Sequence, residues 1–184
     1  MLPAIIGPKK NFQHWIGIAP TAAHLGKCYP APLMRQVVEQ LLHKHPQARI
    51  FLFGRGRMED ELFSEWCNSM PQCVYVSQHL ENMHQELILM SHLDVMVSMD
   101  SANMHLASLT ATPVVSVWGA THPYAGFVGW NQPKENIIQA DLDCRPCSIY
   151  GKRPCRRGDL ACMNSIKPEQ IIERVEQIIS LPDR

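Results

Sequence analysis

Between Leu93 and Thr121 the chain reads LDVMVSMDSANMHLASLTATPVVSVWGAT, and its small polar residues gather at one point. Asp100, Ser101 and Asn103 follow an apolar run, and His105 lies one helical turn further on. Small polar residues where a buried strand feeds a helix leave several backbone N–H groups free, and with the helix dipole they suit an anion such as a phosphate. In open α/β sheets ligands collect at the carboxyl ends of the strands, where this turn falls. The plainer reading of the same residues is a capped helix. The amides at Ser101, Ala102 and Asn103, with the Ser101 hydroxyl, are the groups that would hold the anion. Asp100 is assigned to hold the turn, because its charge opposes a phosphate unless it accepts backbone N–H bonds. His105 either faces the same anion or is an ordinary helix histidine.

Lys27 occupies a loop after an earlier apolar run, again at the carboxyl end of an expected strand. An ammonium there suits a phosphate as a point charge, and Thr21 in the same loop could add a hydroxyl. The alternative is a solvated surface lysine. The stretch FGRGRMEDE, 53–61, holds Gly54 and Gly56 after a strand, but Glu59 stands where a dinucleotide fingerprint needs its third glycine. NAD binding is therefore rejected. Glu59 could accept hydrogen bonds from a ribose, or simply be a favourable charge at a helix N-terminus.

Four of the seven cysteines cluster as C-x2-C-x7-C-x6-C: Cys144, Cys147, Cys155 and Cys162. Their type and number match a structural zinc site, though the spacing is not that of a standard finger. A local disulfide clasp is the other reading. Arg145, Lys152, Arg153, Arg156 and Arg157 surround them, and cationic neighbours favour thiolate. Cys28, Cys67 and Cys73 read as small core residues.

The elements that must position these residues alternate along the chain. Strands are expected at 14–19, 48–53, 73–77, 94–99, 113–119 and 136–140, and helices near 32–44, 58–69, 82–91, after 101 and over 168–181. The strands are short and apolar on both faces, which predicts a mainly parallel sheet covered by helices on both sides: an α/β, Rossmann-like three-layer domain. Residues 1–13, with Pro3, Gly7 and Pro8, read as a linker to a domain over 14–184 that includes a Cys-rich segment, 141–164.

The 184 residues suffice for one domain with a substantial core. Lys plus Arg and Asp plus Glu balance at 17 each, so no basic surplus points to nucleic acid. No apolar run reaches the roughly 20 residues of a transmembrane helix, and MLPAIIGPKK does not read as a signal peptide. A cytoplasmic location is expected.

Together, the MDSANMHLA turn, the PVVSVWGATHP strand, Lys27 before Tyr29-Pro30, and the Cys-bearing tail ending Ile166-Lys167-Pro168-Glu169 resemble glycosyltransferase family 9, the heptosyltransferases of lipopolysaccharide core synthesis. Tyr29 stands where the family's lysine loop carries Trp. The resemblance implies the C-terminal half of a GT-B fold, binding a nucleotide-diphosphate sugar, typically ADP-heptose. Lys27 and the amides at Ser101 and Ala102 would contact the diphosphate, with Thr21, Asp100 and His105 around them and Glu59 at the ribose. Transfer would be inverting and require no cofactor, structural zinc at the cysteines aside. The acceptor, a lipopolysaccharide core or other glycan, and the base that activates it belong to an N-terminal domain that this chain is expected to lack, so the isolated chain is expected to bind nucleotide and transfer nothing. A peripheral place at the inner face of the inner membrane follows from the same resemblance. A UDP- or GDP-sugar transferase and a non-catalytic interaction module with a metal-clasped tail are the alternatives.

Overall fold

Six short strands, each with branched or aromatic residues on both faces, give a single sheet. A computed structural model of the chain describes residues 3–181. The strands are β1 (Trp15–Ala19), β2 (Arg49–Leu52), β3 (Cys73–Tyr75), β4 (Val95–Met99), β5 (Val114–Trp118) and β6 (Ile137–Gln139). Their order in the sheet is β3-β2-β1-β4-β5-β6, and every neighbouring pair is parallel. The order reverses between β1 and β4, which opens a crevice at their carboxyl ends.

Alternation along the strands divides the core. Ile16, Ile18, Val95, Val97 and Met99 pack on one face with residues of α1 (Ala31–Lys44), α2 (Arg57–Ser69) and α6 (Pro168–Ile179). Trp15, Ala19, Phe51 and Met96 pack on the other with α3 (Met83–Met90) and α4 (Ala102–Leu109). Neither face is solvated, as a parallel sheet requires. A short helix within the tail, α5 (Ala161–Asn164), has no counterpart in the periodic pattern of the sequence. Four residues are too few to show a period of 3.6.

Helix α6 follows from its sequence. Pro168 starts it, the Gln170 side chain accepts the Lys167 N–H at 2.9 Å, and Ile171, Ile172, Val175 and Ile178 form its buried stripe. The turn ends at Ile179; of the tail beyond, residues 182–184 lie outside the described residues, as do residues 1 and 2 of the expected linker. The rest of that linker is tied down. Ile6 is buried, the Lys9 ammonium pairs with Asp94, and Arg49 donates to the Ile5 carbonyl at 2.8 Å. No helix among the described residues is long and apolar enough to cross a membrane.

Candidate functional site

Strand β4 delivers Asp100 to the crevice and β1 delivers the loop that carries Lys27. The two meet: Lys27 Nζ lies 2.9 Å from Asp100 Oδ2, and their side chains are only 16% and 6% exposed. Thr121, just past β5 and fully buried, donates its hydroxyl to the same carboxylate oxygen at 2.8 Å. Three strand ends therefore converge on one carboxylate. The sequence suggests that Asp100 holds its own turn; its partners instead come from across the sheet, because a buried carboxylate needs a cation and a donor.

Helix α4 begins beside this pair. Ser101 is its N-cap in extended conformation, but its side chain makes no capping hydrogen bond. The hydroxyl lies 3.3 Å from Ser98 Oγ, whose own proton goes to the Met99 carbonyl. The first-turn N–H groups of α4 thus lack the side-chain partner that α3 has, where Asn82 accepts from the Gln85 N–H at 3.0 Å. Ala102 and His105 are exposed on that first turn, so both look outward from the helix end.

The lysine loop is closed on itself and on its neighbours. The Cys28 thiol sits 3.3 Å from both the N–H and the carbonyl of Ala22, and burial pushes its pKa up, with the charge of Glu59 adding to the effect. Glu59 is half-buried on the first turn of α2, folded back so that a Cβ on Gly56 would lie 2.8 Å from its Oε2. Gly56 has φ +136°, a region that disfavours a side chain. The two glycines that imitate a dinucleotide fingerprint are therefore the bed for Glu59. Thr21 is half-buried in the loop after β1.

Two residues outside the expected set build the wall of the site. Gly119 abuts the Gly26 carbonyl, leaving no room for a side chain, and the Ala120 N–H donates to that carbonyl at 2.8 Å. Gly151, at φ +79°, lies over the stem of Lys27, where a Cβ would come within 2.6 Å of Lys27 Cδ. The wall continues as a concavity of about 530 Å³ lined by Ala23–Gly26 and by Gly151, Lys152, Arg153 and Cys155. Neither Asp100, Ser101 nor His105 lines it. A glycine in a strand-end pattern signals close approach, but what approaches is visible only in three dimensions.

The cysteine tail packs beside this wall. Among the described residues no group of three or more His, Cys, Asp or Glu side chains comes together as a metal site, and every cysteine is a free thiol. Cys147 Sγ donates instead to the Cys144 carbonyl at 3.0 Å. Burial pushes the Cys147 and Cys162 thiols up, the second against the pull of the Arg145 guanidinium. Cys155 is pulled down by surrounding backbone N–H groups, that of Leu160 foremost.

Comparison with known proteins decides the family. The model of glycosyltransferase family 9 (heptosyltransferase) matches residues 8–156. The chain belongs to glycosyltransferase family 9. It is 24% identical over 173 residues to lipooligosaccharide heptosyltransferase 2 of Campylobacter jejuni subsp. jejuni serotype O:6, covering 92% of this chain and 52% of that protein. Lipopolysaccharide heptosyltransferase 3 of Escherichia coli K12 is 29% identical over 176 residues, with 91% and 47% covered. Among solved structures, E. coli ADP-heptose lps heptosyltransferase II superposes with TM-score 0.69 at 18% identity, over 90% of this chain and 46% of that one. E. coli heptosyltransferase WaaC with ADP gives TM-score 0.65 at 15% identity, over 93% and 46%. These structural likenesses establish the fold, and the chain spans about half the length of the relatives it matches. The family 9 domain is thus the expected three-layer α/β unit, with its sheet parallel throughout.

Proposed function

We propose that this domain binds the nucleotide-diphosphate sugar, ADP-heptose, of an inverting heptosyl transfer. One observation carries the reading: a buried ammonium, Lys27, is held by Asp100 against the uncapped N-terminus of α4, at the carboxyl end of a parallel sheet. A cation and free amides aimed at one point are what a diphosphate needs. The α4 amides would donate to the phosphate oxygens and Lys27 would neutralise their charge. Glu59, folded over the glycines that follow β2, is assigned to the ribose, and Thr21, in the loop after β1, to the diphosphate. Support for adenine as the base comes from relatives solved with ADP and with ADP-2-deoxy-2-fluoro heptose.

In transfer, negative charge grows on the departing diphosphate as the glycosidic bond to it breaks. Lys27 and the α4 dipole lie where that charge develops and lower the barrier without rearranging. Deprotonating the acceptor hydroxyl is a separate task, and none of the residues gathered here is assigned to it. The domain alone is therefore expected to bind donor and release it unchanged. Thermal shift against ADP, UDP and GDP tests the reading: ADP should raise the melting temperature and Lys27→Ala should abolish the rise. Equal response to all three, or none to ADP, would sink it.

A further inference from the structure

One side chain ties the tail to the strand ends beside the site. Arg145 donates from Nε to the Gly119 carbonyl, from Nη1 to the Ala140 carbonyl, and from Nη2 to the Thr121 carbonyl at 3.0 Å and Gln139 Oε1 at 3.1 Å. Its four acceptors are neutral and sit at the carboxyl ends of β5 and β6. Burial pushes the guanidinium's pKa down, so this position costs the cation solvation. An arginine's planar fork suits this arrangement, because it reaches several fixed acceptors at once.

Two separate routes lead from those carbonyls to Lys27. On the first, Arg145 fixes the Thr121 backbone, the Thr121 hydroxyl holds Asp100 at 2.8 Å, and Asp100 holds the Lys27 ammonium at 2.9 Å. On the second, Arg145 fixes Gly119, which abuts the Gly26 carbonyl next to Lys27, while the Ala120 N–H donates to the same carbonyl. The tail follows Arg145 inward: the Cys147 N–H donates to the Ala120 carbonyl at 2.9 Å, and Gly151 lies on the Lys27 stem.

We propose that Arg145 is a positioning residue for Lys27, and that the Cys-rich segment serves as the clamp that carries it there. Lys27 reaches the anion site in one geometry because the 119–121 turn cannot slide. For nucleotide affinity this rests on the donor-binding reading above; for the placement of Lys27 it does not.

The test uses Arg145→Met and Arg145→Lys in the same chain, with two readouts. The first is the acylation rate of Lys27 by an amine-reactive ester, followed by peptide mass spectrometry, with exposed Lys44 as internal reference. Arg145→Met should raise the Lys27 rate severalfold and leave Lys44 unchanged. Arg145→Lys, which keeps the charge but loses the fork, should fall between. The second is ADP affinity in a double-mutant cycle. Arg145→Met should weaken ADP by about tenfold, the scale of one charged hydrogen bond, and should add almost nothing in a Lys27→Met background. General loss of stability would instead weaken both backgrounds alike. An unchanged Lys27 labelling rate in a folded Arg145 variant overturns the proposal, as does full additivity in the cycle. If wild type fails to bind ADP while Arg145→Met still unmasks Lys27, the donor reading fails and the positioning role stands. Should Arg145→Met not fold, Arg145→Lys decides on the same labelling criterion.

Discussion

Strand β4 is bracketed by two lysine–aspartate pairs that are alike in type and opposite in use. At its amino end Asp94 takes the Lys9 ammonium on one oxygen and the Trp15 N–H at 2.7 Å on the other, and Lys9 also donates to the His92 carbonyl at 2.7 Å. Lys9 is 41% exposed, and the pair pins an N-terminal segment to the sheet. At the carboxyl end Lys27 and Asp100 are nearly buried and stand beside a helix whose first-turn amides have no side-chain cap. The first pair saturates its surroundings; the second borders groups that remain unspent. The same residue types read as scaffold or as site according to what lies next to them.

The largest effect should come from breaking the second pair. Lys27→Met leaves the Asp100 carboxylate buried without its cation, which costs on the order of 3 kcal/mol, read as a fall in melting temperature together with weakened ADP protection. A variant that binds ADP like wild type would make the two ends equivalent and end the comparison. The helix termini sharpen it further. Ser101→Asp should cap α4, raising stability by roughly 0.5–1 kcal/mol in urea unfolding, yet weaken ADP by placing charge against the diphosphate. Asn82→Ala should instead cost about 1 kcal/mol and leave ADP untouched. If Ser101→Asp left ADP affinity unaltered, the α4 amides would be no part of the site.

Smaller changes are expected at the amino end. Lys9→Met should lower stability by less than about 1 kcal/mol, since exposed pairs are screened, with no change in nucleotide binding. The smallest is a pH effect at His14, which sits 3.9 Å from Asp94 and whose ring packs edge-on to His45 at 5.0 Å. Burial, followed by His45, lowers the His14 pKa below its ordinary 6.5. The folded state therefore prefers the neutral ring. Stability from this group is complete above pH 6.5 and declines as pH falls towards the lowered folded value, because unfolding then takes up a proton. Urea titrations from pH 7.5 to about 5 should show a shallower decline in His14→Gln; identical slopes would remove His14 from the account.

Much of this was legible from residue order. Short runs apolar on both faces place all six strands, and the positions of Asp100, Ser101 and Lys27 at strand ends are readable because parallel sheets put such loops on one side. The pairing of Lys27 with Asp100 is not, since 72 positions of chain intervene and only strand order brings β1 beside β4. Arg145 was hidden for a different reason. Beside four cysteines its charge reads as a modifier of thiols, whereas its partners are backbone carbonyls, which carry no mark in a sequence. Cys144, Cys147, Cys155 and Cys162 have a conspicuous spacing, yet among the described residues their thiols are not gathered as a ligand set.

The company Arg145 keeps also sets how the molecule responds to its medium. The Gly119, Thr121 and Ala140 carbonyls and the Gln139 amide have no proton to gain in the range where a protein stays folded. The guanidinium does not give up its proton there either, so the anchor behind the site keeps its hydrogen bonds whatever the pH of the medium.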